Sequence, residues 1–279
     1  MLESNPDFED VDDGLGWGKD PDPKEVEARR VLRRFFEDNP ENVFFSRQLE
    51  VRNEKEFFHW VTNRALHELV KEGLVLNERR DFRTGKVNLM WHSSYRYYRR
   101  KASAVVKLLN EYADPNISAA IGLHGEAMVL EGFASLQFVM RGRNSNTFQD
   151  RAWTKSDHDL DFIFERDGVC YGVEVKNTLG YMDHDELLTK AAVSKELGLR
   201  PVFVTRMLPK NWIEELRKAG GFALILAHQL YPWTHRELAK RVADVFGLPV
   251  DAPRRLYEAT MQRFLKWHQK AVNPSGDSH

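Results

Sequence analysis

Apolar and polar positions alternate at helical spacing from Lys24 onward: Val26, Val31 and Phe35 share the run with Arg29, Arg30, Arg33 and Arg34 until Asn39-Pro40 stops it. A short second helix can start at Ser46, with Leu49 inward. A third, over residues 54–72, puts Phe57, Phe58, Val61, Ala65, Leu69 and Val70 on a broad inner face and ends at Gly73. The apolar Leu74-Val75-Leu76, a basic turn over 79–86 and the stretch 87–91 then read as a β-hairpin. A linking helix follows within 93–117, closed by Asp114-Pro115-Asn116.

Beyond residue 118 the period changes. The expected order is a helix over 123–133, strands over 135–140, 161–166 and 169–176, a helix over 183–197, a strand over 201–206, a helix over 211–218 and a strand over 222–227. This is an α/β pattern with a mixed sheet flanked by helices. Asp183 and Glu186 are spaced as a capping box, and a crossover through that helix sets the flanking strands parallel. Thr234 with Glu237 begins a helix striped by Leu238, Val242, Val245 and Phe246, and a second amphipathic helix runs over 254–270. Two uses stay open for this pair within 231–272, covering the sheet or pairing two copies as a homodimer.

Charge refines the division. The 279 residues sum to -1, yet residues 1–23 carry eight acids against one lysine, while residues 24–101 carry 18 Lys+Arg against 12 Asp+Glu. Residues 1–23, acidic and without apolar period, read as a disordered tail able to mimic phosphate toward the basic module beside it. A single cysteine, Cys170, excludes a disulfide framework and Cys-rich zinc sites. The acidic first ten residues do not look like an export signal, and no apolar run nears the roughly 20 residues of a membrane span. A cytoplasmic protein with no membrane partner is expected. Phosphate-loop, HExxH and GxSxG motifs do not occur.

The chemistry gathers in the stretch from His158 to Lys176. Asp167-Gly168 is a favoured two-residue turn, and closing there sets Asp161 opposite Glu174. Directly paired residues have Cβ atoms roughly 5 Å apart, so the two carboxylates need a cation between them. Glu174 and Lys176 share one face, with Val173, Val175, Phe162 and Phe164 on the other. A slip of two in the turn would substitute Asp159 for Asp161. Glu126, on the stripe of Val129, Leu130 and Phe133, offers a third carboxylate. Lys190 and Lys195, on the helix after this strand pair, read as surface charge, with contact to a phosphate as the alternative; His124, His158 and His184 flank the site as candidate bases or structural histidines.

Element order, Asp161 before Phe162-Ile163-Phe164, the Glu174-Val175-Lys176 triplet and Glu126 together resemble the PD-(D/E)XK, restriction-endonuclease-like nuclease superfamily over residues 118–230, although Leu160 replaces the proline of its name motif. The resemblance implies an αβββαβ core and a Mg²⁺ site, with Mn²⁺ as a substitute, held by Asp161, Glu174 and Glu126. It also implies that Lys176 orients the attacking water and stabilises phosphate charge. Three helices and a basic hairpin over residues 24–92 resemble a winged helix-turn-helix. That implies contacts to double-stranded DNA from Lys55, His59, Asn63 and Thr62 on the third helix, with Arg79, Arg80, Arg83 and Lys86 on the wing. Arg141 and Arg143 lie in a loop able to hold phosphates. The function so implied is metal-dependent DNA cleavage. A DNA-binding regulator with a silent nuclease-like domain, or a nuclease for junctions or RNA, remains open.

Overall fold

The structure, a computed structural model, describes residues 22–273. Two compact units share it. One joins the described residues through Ala119 with Glu237–Leu248; the other joins Ala120–Arg236 with the described residues from Pro249 on.

In the first unit, α1 (Pro23–Asp38) starts because the Asp22 side chain accepts the Lys24 amide at 2.7 Å and Pro23 presets the first helical φ. Asp22 and Pro23 therefore belong to this helix, and the rest of the acidic tail expected over 1–23 lies outside the described residues. Next come β1 (Val43–Phe45), α2 (Ser46–Asn53), α3 (His59–Lys71), β2 (Val75–Phe82) and β3 (Gly85–His92). The three strands form an antiparallel sheet ordered β1-β3-β2. Leu32, Phe36, Leu49, Val61, Leu66 and Leu69 of the helices bury against Val75 and Met90 of the strands.

α3 starts five residues later than the pattern predicts. The amides of Glu56 and Phe57 close a turn on the Asn53 carbonyl, and Phe57 reaches the core from that turn. Phe58 is extended and exposed rather than inward, and Thr62, expected on the outer stripe, is fully buried.

Asp114-Pro115 begins a helix instead of ending one. After α4 (Tyr98–Tyr112), Asp114 accepts the Asn116 amide at 3.0 Å and Pro115 opens α5 (Pro115–Ser135). α5 runs past the expected strand start at 135, and the strand begins only after Gln137 turns the chain at φ 63°.

The second unit continues with β4 (Val139–Ser145), the short pair β5 (Thr147–Phe148) and β6 (Arg151–Ala152), then β7 (Leu160–Arg166), β8 (Val169–Lys176), α6 (His184–Glu196), β9 (Arg200–Thr205), α7 (Lys210–Lys218), β10 (Phe222–Ile225) and β11 (Gln229–Leu230). A 3₁₀ turn at Trp233–His235 leads to α8 (Arg236–Phe246), then β12 (Val250–Asp251) and α9 (Glu258–Val272). The class is α/β with a mixed sheet. Its order is β10-β9-β8-β7-β4, antiparallel on the β4-β7-β8 side and parallel from β8 to β10.

Helices cover both faces of this sheet. Met128, Val129 and Phe133 of α5 and Met261 and Phe264 of α9 pack on Phe162, Phe164, Tyr171 and Val173. On the other face, Val193 and Leu197 meet Leu160 and Ile163, while Leu187 of α6 and Leu216 of α7 meet Phe203. α9 thus covers the sheet. α8 groups with the first unit, where the Phe246 carbonyl accepts from Gln48 Nε2 at 2.9 Å and its ring meets Phe45 edge-on. Val245, expected on the buried stripe of α8, is exposed.

Candidate active site

The hairpin closes at Asp167-Gly168, both with positive φ (51° and 73°), as a tight twisted turn requires. Arg166 pairs with Val169 and the register holds to Phe162 opposite Val173, so no slip brings Asp159 into the place of Asp161. The ladder stops one position short of Asp161 and Glu174. There the Asp161 side chain takes over from its backbone, its Oδ2 accepting the Val175 amide at 2.7 Å. The strand end that the main chain no longer pairs is held by the carboxylate itself.

Glu174, only 6% exposed, faces α6. The N-cap Asp183 accepts the Asp185 and Glu186 amides and sets that helix in place, and Gly172 lets it come close: a Cβ there would stand 2.6 Å from Ser194 Oγ and 2.7 Å from Leu160 Cδ1. The inward side of α6 carries Leu187, Lys190, Val193 and Ser194.

Lys190 is therefore a buried lysine, also 6% exposed, not the surface charge expected from its residue type. Its Nζ lies 2.8 Å from Glu174 Oε2, 3.6 Å from Asp159 Oδ1, and donates to the Asp159 carbonyl at 2.6 Å. The available signal was its place on the inward stripe with Leu187, Val193 and Leu197, where an unpaired ammonium would be costly. The expected cation Lys176 instead holds Glu186 at 2.9 and 3.1 Å.

The electrostatics follow from burial. Removal from water, followed by the charge of Asp161, pushes Glu174 up to about 7 against the opposing pull of Lys190. Asp161 is raised too, chiefly by burial, with the Val175 N–H and Lys190 opposing and Glu126 and Asp159 adding to the rise. Burial alone would lower Lys190, but Glu174, Asp161 and Asp159 outweigh it and raise it. Two carboxyls and one ammonium thus interact in one poorly hydrated place between the sheet and α6.

Glu126, near enough for its charge to raise Asp161, is engaged outside this cluster. Its carboxylate accepts from Arg143 Nη2 at 2.9 Å, and the same guanidinium sits 5.6 Å from the Phe162 ring centre. Among the described residues, no three His, Cys, Asp or Glu side chains are grouped as metal ligands. His158 bonds to Ser156 and His184 to Glu215, while burial lowers the pKa of His124.

The expected DNA contacts divide in two. Arg80 is held by Glu78 and Ser103, Arg83 by Asp114, Arg141 by Glu165 and Arg143 by Glu126. Arg79 and Lys86 are exposed on the β2-β3 hairpin, Lys55 is exposed in the turn before α3, and His59 and Asn63 are half-buried on it.

No family model matches this sequence, and no curated protein matches it. Among solved structures, the crystal structure of protein VC1899 from Vibrio cholerae aligns at 12% identity and a TM-score of 0.24, covering 82% of this chain. The chain spans 52% of the length of that protein. Among the described residues no helix is long and apolar enough to cross a membrane.

Proposed function

We propose that the protein is a divalent-metal-dependent DNA endonuclease of the restriction-endonuclease-like kind, a cytoplasmic enzyme whose first unit binds double-stranded DNA as a winged helix. The observation that carries the proposal is the Asp161–Glu174–Lys190 cluster at the open end of a strand pair: two like charges driven together against burial, with an ammonium beside them. Stability alone gives little reason for such a pair, because replacing it with apolar side chains often costs nothing, and strongly raised carboxyls beside a charge partner mark candidate functional groups. Three helices with the β2-β3 hairpin following the third, in a sheet ordered β1-β3-β2, support the winged-helix part.

Asp161 and Glu174 fit Mg²⁺ as a two-carboxylate donor set, since this ion keeps several waters and needs only one or two carboxylates beside substrate phosphates. Mg²⁺, or Mn²⁺ in its place, supplies a water of lowered pKa and neutralises charge on the phosphodiester. The protein's own groups do the rest. The Val175 amide fixes the Asp161 carboxylate, and Lys190 favours the ionised form of Glu174 and has one N–H left for a phosphate oxygen beside those directed at Glu174 and the Asp159 carbonyl. Lys190 takes the part that the sequence suggests for Lys176, which Glu186 neutralises. Glu126 becomes available only when a phosphate draws Arg143 away from it.

The test is nicking of supercoiled plasmid with Mg²⁺ or with EDTA. Asp161→Asn and Lys190→Met are expected to lower cleavage by about 10²-fold or more while DNA binding persists. Cleavage that survives both changes would remove this site from the chemistry. The second reading is a DNA-binding regulator with a silent nuclease-like unit, favoured by the engagement of Glu126 with Arg143 and Lys176 with Glu186. It predicts salt-dependent binding and no nicking with either metal.

A further inference from the structure

From the end of β3 into the first turn of α4 the chain reads Tyr95-Arg96-Tyr97-Tyr98-Arg99-Arg100-Lys101, three aromatic and four cationic residues in succession. The fold gives them two different fates. Tyr98 stacks on Trp91, with ring centres 3.8 Å apart and planes 11° from parallel. Lys101 donates to the Glu41 carbonyl at 2.5 Å and to Asn42 Oδ1 at 3.0 Å, with its Nζ 5.6 Å from the Tyr95 ring centre. These three residues tie the segment down.

The others are left to solvent. Tyr97 is 85% exposed, and Arg96, Arg99 and Arg100 are exposed and form no salt bridge among the described residues, although the charge of Arg99 reaches Glu78 and helps lower its pKa. Together with the anchored residues and Ala104 they line an open cavity of about 900 Å³.

The exposure of the second group is not explained by stability. α4 has no acidic residue in its first turn but carries Arg99, Arg100 and Lys101 there, against the partial positive charge of that helix end. Each such cation costs a few tenths of a kcal/mol up to about 1 when exposed. A phenol ring held in water gives up the burial that makes an aromatic stabilising. A purely solvated basic surface accounts for the arginines and leaves Tyr97 without a reason.

We infer that this cavity binds single-stranded nucleic acid, with a base stacked on Tyr97 and backbone phosphates on Arg96, Arg99 and Arg100. A flat ring beside exposed guanidiniums matches a ligand that presents π-faces and phosphates alternately. Duplex DNA hides its base faces within the stack, so the cavity selects unpaired strands, whereas the α3 and β2-β3 residues considered above suit a duplex. An acidic peptide would satisfy the charges but not the ring. The inference stands apart from the nuclease reading, because it concerns binding and can be measured without metal.

The test is fluorescence anisotropy of the full chain in EDTA, with labelled oligothymidylate or oligouridylate of about 15 nucleotides and a duplex of equal length. Tyr97→Ala is expected to weaken single-strand binding about tenfold, the loss of one base–aromatic stack, and to leave duplex affinity within about twofold. Tyr97→Phe should retain the affinity. Replacing Arg96, Arg99 and Arg100 by Gln should flatten the salt dependence of single-strand binding. The thymidylate and uridylate arms separate DNA from RNA. The inference is overturned if Tyr97→Ala leaves single-strand binding unchanged in a protein of unaltered melting temperature, if it weakens both ligands equally, or if polyglutamate competes as well as an oligonucleotide of equal charge.

Discussion

Replacing Lys190 by Met tests whether its ammonium supports Glu174 or merely fills space. In the native protein Glu174 titrates near 7 instead of its ordinary 4.5. At ~1.4 kcal/mol per pKa unit, ionising this group costs the folded state about 3 kcal/mol. The sign follows from proton binding: between those pH values the folded chain holds more protons than the unfolded one, so stability falls as pH rises. Without metal at about pH 8, where native Glu174 is ionised beside Lys190 at 2.8 Å, Lys190→Met removes the charge that opposes the rise, so the buried carboxyl goes higher still and takes up a proton. Holding that proton one unit above its native value adds at most about 1.4 kcal/mol to the loss. At about pH 5 Glu174 is neutral in both proteins, and the loss shrinks to the hydrogen bond from Lys190 to the Asp159 carbonyl, about 1 kcal/mol. Urea unfolding in EDTA at the two pH values measures the difference. An equal loss at both would refute the coupling and leave Lys190 as packing alone.

Gly172→Ala should lower stability by about 1–3 kcal/mol, and under the nuclease reading it should reduce cleavage as well, because the added Cβ meets Ser194 and Leu160 and pushes α6 off the sheet; a neutral result in thermal unfolding would contradict that close approach. Tyr171→Phe leaves the Nδ1 of His268, 1% exposed, without the hydroxyl now 2.6 Å away. A loss of about 1–3 kcal/mol is expected in urea unfolding, and a loss within error would show that the hydroxyl carries no net weight. Deleting residues 1–21 removes seven acids and one lysine while sparing the Asp22 cap. If the acidic segment competes with DNA, affinity should rise, most clearly at low salt, in a filter-binding or anisotropy titration; unchanged affinity assigns the segment no such role.

The local features were legible because their causes lie close together in the chain. Asp167-Gly168 between two alternating strands determines its own turn, and the predicted register from Arg166–Val169 to Phe162–Val173 is the one observed. The Asp183 cap and the α/β order through β10 are likewise written in neighbouring residues. Boundaries were harder where one residue serves two opposite uses. Proline after a helix reads as a stop, but Asp114 beside it makes the same pair a start.

What the sequence determined by itself was the α/β class, the hairpin and the two carboxylates at its open end, since period and turn chemistry act over a few residues. Tertiary structure decided which cation joins them. Both Lys176 and Lys190 lie within reach in sequence, but the choice depends on how α6 packs across Gly172, bringing Glu186 to one lysine and Glu174 to the other. It also decided that α8 joins the first unit and α9 the sheet, because an amphipathic stripe states that a face must be buried and not against what.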